Sequence, residues 1–315
     1  MLISSLIIAL IGFLALNTSM NEKDRTYFNN MRYGQKVNVS GHSMNVCIFG
    51  ENNNKTIAIT PDLASSSPYY EFKPITEALS DEYTVVVIEP FGYGLSDDVD
   101  DERSVDNISN EIHTAMKQLG IDQYYLLVHS YSGLYGLKLV NKYPNEVLGF
   151  IGIDSTVPGQ LNEFMDKVKL TISDISLLFD KGVDVVGITK LINKVKPGML
   201  MNLDRTYKYT PEEIEEIDFL TLKKSPTKTQ FNESKNANNN LKAVEKLKFP
   251  NTVPILNFLS NESVEAHKNW EELHCTIITE TIYSEVQIFE GSHYLHLVQK
   301  NEIVKNIKRW IKNMN

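Results

Sequence analysis

Residues 124–133 read YYLLVHSYSG, an apolar run that leads directly into small hydroxyl residues and a glycine. The run is typical of a buried strand, and the residues after it, as far as Asn141, predict a helix. Ser130 would then lie on a sharp strand-to-helix turn, where a nucleophilic serine is held clear of a sheet. Ser132 is the small residue that such a turn needs two positions later, whereas Val128 stands where glycine is usual. The alternative is that Ser130 only caps the helix.

On both sides of this turn, strand-like and helix-like segments alternate. Residues 105–119 carry apolar side chains at spacings of three and four, which predicts a helix with one buried face. The run 84–88, TVVVI, is β-branched and apolar throughout, as in a strand covered on both faces. This alternation predicts an α/β protein with a mainly parallel sheet and helices on both faces. The predicted strands are 35–39, 44–50, 56–60, 84–88, 124–128, 147–153, 253–259 and 285–289.

One long segment, residues 158–249, contains no convincing strand. Its apolar residues recur at helical spacing, as in Phe164, Val168, Ile172 and Ile175. We therefore expect a helical insertion between two strands of the sheet. The predicted core consists of residues 33–157 and 250–315.

The composition excludes an intrinsically disordered chain and argues against a nucleic-acid-binding protein. The chain has 315 residues, 42% of them hydrophobic, and a net charge of −9. This apolar content supports a sizeable core, and the acidic balance argues against a nucleic-acid partner. The only two cysteines, Cys47 and Cys275, are too few and too far apart for a disulfide framework or a zinc site, although one bridge between them stays open.

The amino terminus is apolar and uncharged over residues 2–16, LISSLIIALIGFLAL. Three interpretations compete: an uncleaved membrane anchor, a secretion signal and a buried helix. We expect an anchor formed by residues 1–16, with a secreted protein as the second choice. Lys23 and Arg25 follow the run among acidic residues, so the side of the membrane stays open.

A general base for Ser130 is expected where the last strand ends. Residues 291–296 read GSHYLH, and His293 lies in the loop between the last strand and the last helix. A carboxylate at the same edge of the sheet would orient this imidazole. Glu262, after strand 253–259, is the predicted acid, and Asp154, at the end of strand 147–153, is its rival.

An oxyanion hole requires two backbone N–H groups. The residue after the nucleophile, Tyr131, would supply one, and the loop that reads TPDLAS at 60–65 would supply the other. Leu63 is the first choice in this loop and Asp62 the second. Pro61 has no N–H and cannot serve.

Three motifs resemble those of the α/β-hydrolase fold family. Residues 89–97, EPFGYGLSD, resemble its D-x-x-G-x-G-x-S-D segment, with Glu89 in place of aspartate. HSYSG at 129–133 resembles its G-H-S-x-G-G elbow, and 291–296 its G-x-H-x-x-H loop. The three occur in the family's order, and the resemblance covers residues 33–312. The family's usual His-Gly before the oxyanion loop is absent.

The resemblance implies an eight-stranded, mostly parallel sheet with a helical lid inserted after the sixth strand. It implies a Ser–acid–His triad that maps onto Ser130, Glu262 and His293, with no metal or organic cofactor. The expected reaction is hydrolysis of an ester, or less readily an amide, of a small-molecule acyl substrate. One alternative is a membrane-tethered binding protein that has lost turnover. Another is an aminopeptidase that holds a substrate ammonium through Glu213, Glu215 or Glu216.

Overall fold

The computed structural model describes residues 22–63, 65–159, 203–224, 226–280 and 282–314. Within these ranges the chain forms one eight-stranded sheet, in the order β1-β2-β4-β3-β5-β6-β7-β8. The pairs β1–β2 and β2–β4 are antiparallel and all the others are parallel, which confirms the predicted fold class. The strands are β1 Gln35–Val39, β2 His42–Phe49, β3 Thr56–Thr60, β4 Thr84–Glu89, β5 Tyr124–His129, β6 Val147–Ile153, β7 Ile255–Ser260 and β8 Glu285–Phe289.

Helices cover both faces of the sheet. Alternate residues of β4 point to opposite sides: Val85 and Val87 join one apolar cluster, and Val86 and Ile88 join the other. The described helices are α1 Glu22–Asn30, α2 Pro68–Ser80, α3 Val105–Gln118, α4 Ser132–Lys142, α5 Pro211–Lys223, α6 Lys228–Lys235, α7 Ala237–Val244, α8 Asn261–Ala266, α9 Trp270–Thr276, α10 Leu295–Val298 and α11 Lys300–Asn313. Side chains of α2 and α11 pack on the Val85 side, and those of α3, α4 and α7 pack on the other side.

The parallel arrangement brings the carboxyl ends of β3, β5, β6, β7 and β8 to one edge of the sheet. The residues that follow these strands are therefore neighbours in space, although they come from distant parts of the chain. In sheets of this type, ligands bind at this edge.

Among the described residues, three helices, α5 to α7, lie between β6 and β7, within the segment predicted as a helical insertion. They pack against loops of the core. Thr221 on α5 shares a hydrogen bond with Ser66, 3.1 Å between hydroxyl oxygens. Gln230 on α6 donates its side-chain N–H to the carbonyl oxygen of Ser65, 3.1 Å away. That this insertion acts as a lid stays a prediction, and residues 160–202 lie outside the described ranges.

The predicted membrane localisation is contradicted. No helix in the described ranges is both long enough and apolar enough to cross a bilayer. The longest of them, α3 and α11, have 14 residues each. At about 1.5 Å per residue they span about 21 Å, against about 30 Å of bilayer hydrocarbon. The prediction of a membrane partner is corrected with it, and the apolar run at residues 2–16 lies outside the described ranges.

Candidate active site

Ser130 lies at the tip of a tight turn between β5 and α4. Its φ is +53°, in the left-handed region that side chains other than glycine rarely adopt. The turn is held to the neighbouring strand on both sides of the serine. The N–H of Ser130 donates to the carbonyl oxygen of Ile153 at 3.1 Å, and the N–H of Thr156 donates to that of Ser130 at 2.8 Å. These bonds hold the strained backbone in place, as expected for a residue whose side chain has a function.

Ser130 and His293 are brought together, as the sequence predicts. The distance from Ser130 Oγ to His293 Nε2 is 2.8 Å, although the two residues are 163 positions apart. The other ring nitrogen, His293 Nδ1, lies 2.7 Å from Asp154 Oδ2. Serine, imidazole and carboxylate thus form one continuous chain of hydrogen bonds, which is the geometry of nucleophile, base and orienting acid.

The carboxylate in this chain is Asp154, which corrects the predicted acid, Glu262. Glu262 is exposed in the first turn of α8. Asp154 follows β6 with a positive φ of +43°, so its side chain turns toward the histidine loop. Both carboxylates follow adjacent parallel strands, so the sequence places both at the same edge. Only the direction of the side chains separates them.

Asp154 is completely buried and held by donors from residues 260–270, at the end of β7 and beyond it. Its Oδ1 accepts from the N–H of Ser260 and from Trp270 Nε1, each at 3.1 Å. Its Oδ2 accepts from the hydroxyls of Ser260 at 3.0 Å and Ser263 at 2.5 Å. Burial alone would raise the pKa of Asp154, but the hydrogen bond and charge of His293, with these donors, hold it below its usual 3.8.

The elbow tolerates Val128 because a helix leaves room for it. Gly136 on α4 faces this strand, and a β-carbon there would lie 3.0 Å from Val128 Cγ1 and 2.7 Å from Phe150 Cε2. At the start of the same helix, a side chain on Gly133 would overlap the carbonyl oxygen of Thr156. The space usually left by a glycine before the serine is thus supplied by Gly136, about one turn into the helix.

The loop after β3 lies beside the elbow. Thr60 on β3 is in register with Val128 on β5. The residues three positions later, Leu63 and Tyr131, therefore lie at the same edge of the sheet. The hydroxyl of Ser132 donates to the carbonyl oxygen of Pro61, which ties this loop to the start of α4. The positions agree with the predicted oxyanion hole, whose two N–H donors stay predictions.

Glu89, in the place of the expected aspartate, holds the glycine-rich turn that follows β4. Its Oε2 accepts from the N–H of Leu95 at 2.8 Å and from Asn45 Nδ2 at 3.0 Å. A side chain on Gly94 would overlap this carboxylate. Burial raises the pKa of Glu89 above its usual 4.5, against the lowering effect of these hydrogen bonds. The residue organises the loop and lies outside the triad.

The comparisons with known proteins agree with this architecture. A family model described as alpha/beta hydrolase fold matches residues 61–175. An uncharacterized protein of Bacillus subtilis (strain 168), YbdG, is 24% identical over 286 residues, which cover 86% of this chain and 83% of that protein.

Solved structures with 1.00 probability of similarity include two epoxide hydrolases. VrEH1 from Vigna radiata has a TM-score of 0.66 at 17% identity, with 91% of this chain and 99% of that chain covered. Epoxide hydrolase A from Mycobacterium thermoresistibile has a TM-score of 0.67 at 13% identity, with 88% and 97% covered. At these identities the structural likeness concerns the fold. Together with the elbow, the histidine loop and the sheet order, these likenesses show that the chain has the alpha/beta hydrolase fold.

Proposed function

We propose that this protein is a serine hydrolase that cleaves an ester, or less readily an amide, through an acyl-enzyme on Ser130. The observation that carries the proposal is the 2.8 Å contact between Ser130 Oγ and His293 Nε2, with Asp154 at 2.7 Å on the other side of the ring. The fold supports a hydrolase, and the nature of the nucleophile indicates the type. A hydroxyl forms an acyl-enzyme with a carbonyl substrate, whereas a carboxylate nucleophile would need aspartate or glutamate at position 130.

In the proposed reaction, Ser130 Oγ attacks the substrate carbonyl carbon while His293 Nε2 takes the hydroxyl proton. Asp154 accepts the hydrogen bond from Nδ1–H, keeps the ring in the required tautomer and stabilises the imidazolium. The backbone N–H groups of Leu63, or of Asp62, and of Tyr131 bind the oxyanion. In comparable enzymes the loss of one such donor costs about 3–4 kcal/mol. His293 then protonates the leaving group, and water repeats the cycle on the acyl-enzyme.

The helical insertion is proposed as the lid over the acyl site. Two of its helices reach the loop beside the elbow: α5 through the Thr221–Ser66 contact and α6 through the bond from Gln230 to the Ser65 carbonyl. A cover in this position would exclude water and limit the size of the acyl group. We therefore expect a small or medium apolar acyl compound as the substrate.

The aminopeptidase alternative finds little support in α5. The carboxylate of Glu213 pairs with Lys73, and that of Glu216 accepts the hydroxyl hydrogen of Tyr70. Both are engaged with helix α2 of the core, and Glu215 is exposed. A carboxylate committed to a neighbouring lysine is a poor receptor for a second ammonium group.

The proposal is tested by covalent labelling of the full chain with a fluorophosphonate, followed by peptide mass spectrometry. We expect one adduct, on Ser130, and no adduct in Ser130→Ala. Ser132→Ala is the matched control, because its hydroxyl donates to Pro61 and not to the imidazole. A panel of chromogenic esters of increasing acyl length, assayed on wild type and Ser130→Ala, then defines the preferred acyl group. A folded protein that is neither labelled nor active on any ester would refute the proposal.

A further inference from the structure

A second cluster of chemically active side chains lies behind the elbow. It consists of Glu71 on α2, His129 at the end of β5 and His296 on α10. All three are buried, with exposed fractions of 3%, 0% and 1%. None of them belongs to the chain of hydrogen bonds that links Ser130, His293 and Asp154. The three come from elements that meet only in the folded protein.

The three side chains present one ligand atom each within a small volume. Glu71 Oε1 lies 3.2 Å from His296 Nε2 and 3.9 Å from His129 Nδ1. One ligand atom from each of the three lies within 4.8 Å of the others. Two ligand atoms on a tetrahedral Zn²⁺, each about 2.0–2.1 Å from the metal, are about 3.3–3.4 Å apart. The Glu71–His296 separation already matches this value, the Glu71–His129 separation exceeds it by about half an ångström, and the separation of the two imidazole atoms, at most 4.8 Å, would shorten on binding.

The hydrogen bonds leave a lone pair of His129 aimed at this point. His129 Nε2 lies 3.2 Å from the carbonyl oxygen of His293, which can only accept, so Nε2 carries the hydrogen. Nδ1 is then a bare acceptor, buried and without a hydrogen-bond partner among the described residues. It faces Glu71 Oε1, a second acceptor. Two buried acceptors that face each other need a positive charge between them, carried either by a shared proton or by a metal ion, because each otherwise loses its solvation without compensation.

No lysine or arginine in the described ranges supplies that charge. The ion-pair partners of Glu71 there are the two imidazoles alone. Burial, with the charges of His296 and His293, lowers the pKa of His129. Burial also lowers the pKa of His296 to about 3. A metal binds a neutral imidazole and an ionised carboxylate, and burial raises the pKa of Glu71 to about 7, so a metal ion and a proton compete for this position.

The surroundings of His129 and Glu71 resemble those of ligands already oriented for a metal, whereas His296 Nδ1 is buried without a hydrogen-bond partner among the described residues. The N–H of His129 donates to a backbone carbonyl, and Glu71 Oε2 accepts the hydroxyl hydrogen of Ser65 at 2.7 Å. Metal-bound histidines characteristically donate their second N–H in this way, and ligating carboxylates are themselves hydrogen-bonded. Two imidazoles and one carboxylate form a ligand set that Zn²⁺ commonly takes.

We propose that Glu71 Oε1, His129 Nδ1 and His296 Nε2 bind one Zn²⁺ ion. The ion takes no part in the acyl transfer. By polarising the His129 ring it strengthens the N–H bond donated to the His293 carbonyl, and so it holds the histidine loop against the elbow. Ligands from α2, β5 and α10 are thereby joined at one point.

The proposal is tested on the full chain by removing metal with a chelator, adding Zn²⁺ and measuring bound zinc by mass spectrometry after gel filtration. We expect one equivalent in the wild type, with two imidazole ligands in the X-ray absorption spectrum. Glu71→Gln and His296→Gln should each weaken binding by at least about 100-fold, since even outer-shell changes cost 10–100-fold. Wild-type protein without a stoichiometric ion would overturn the proposal without reference to any variant.

Two controls locate the ion. His113→Gln removes another histidine–glutamate pair, with Nδ1 2.9 Å from Glu146 Oε2, and should leave zinc binding unchanged. His293→Gln should also bind one zinc ion per chain, because only the backbone carbonyl of His293, and not its side chain, contacts the cluster. Zinc that is lost in His293→Gln, or kept in folded Glu71→Gln and His296→Gln, would place the ion elsewhere and overturn the proposal. Circular dichroism establishes folding, and zinc binding is measured without substrate, so the outcome is independent of the proposed esterase activity.

Discussion

Replacement of Asp154 by asparagine should reduce kcat by about 10³–10⁴-fold, or about 4–5.5 kcal/mol in activation free energy. Asp154 accepts five hydrogen bonds, one of them from His293 Nδ1 at 2.7 Å. The amide nitrogen of asparagine can only donate, so facing His293 Nδ1 it would force the ring proton onto Nε2. That nitrogen could then no longer accept the proton of Ser130.

The assay is steady-state hydrolysis of the best chromogenic ester from the panel, with the rate of fluorophosphonate labelling as a second measure of serine reactivity. Glu262→Gln is the matched control and should leave both rates unchanged, since Glu262 is exposed in α8. If folded Asp154→Asn retained more than about a tenth of the wild-type kcat, the role assigned to this carboxylate would be wrong. An equal loss in Glu262→Gln would restore the prediction from sequence.

The same substitution has a consequence for stability that a change in rate alone would not show. The pKa of Asp154 is held below its usual 3.8. The unfolded chain therefore binds the proton more readily than the folded protein, and folding stability falls as pH decreases through this range. The stabilisation of the folded state by ionised Asp154 is complete above pH 3.8 and is lost as pH falls through the pKa of Asp154 in the folded protein. Urea denaturation toward acid pH should show that Asp154→Asn lacks this part of the pH dependence.

Three other perturbations test the supports of the site. Gly136→Ala should destabilise the fold by about 1–3 kcal/mol in urea denaturation, because the added methyl group meets Val128. Adding Val128→Ala to this variant should recover part of the loss. If the two substitutions simply added their costs, Gly136 would not be the residue that makes room for Val128. Trp270→Phe removes the N–H that donates to Asp154 and should cost about 1–3 kcal/mol of stability with a lower kcat; an unchanged protein would show that this bond is dispensable. Burial raises the pKa of Glu89 above 4.5, so the contribution of this carboxyl to folding stability declines as pH rises above that value. Glu89→Gln should remove this decline. An identical pH dependence of stability in the variant would refute the raised pKa.

The regular part of the fold could be predicted from local patterns. Strand β4 and helix α3 have apolar side chains at the periods that their secondary structures require, and short loops between such elements lead to a parallel sheet. Parallel strands end at a common edge, so the turns at Ser130 and His293 could be assigned to one candidate site from the sequence alone. The contact between their side chains followed from this arrangement.

The triad acid could not be chosen in the same way. Glu262 and Asp154 both follow strands that end at this edge, and local sequence favours neither. Asp154 is selected because its backbone adopts a positive φ and its carboxylate meets donors from Ser260, Ser263 and Trp270. These donors lie 106 to 116 positions away in the chain. Likewise, the valine at position 128, where glycine is usual, fits because Gly136 on α4 leaves room for its side chain.

By itself, the amino-acid sequence determined which segments are strands and helices, the class of the sheet and the serine and histidine expected to react. These depend on short-range periodicity and on turn residues, which act over a few positions. The tertiary structure decided which carboxylate hydrogen-bonds to the histidine and how a valine fits the elbow. It also brought the buried side chains of Glu71, His129 and His296 within 4.8 Å of one another. These depend on side-chain direction and on the exclusion of water, and both arise only when distant segments pack together.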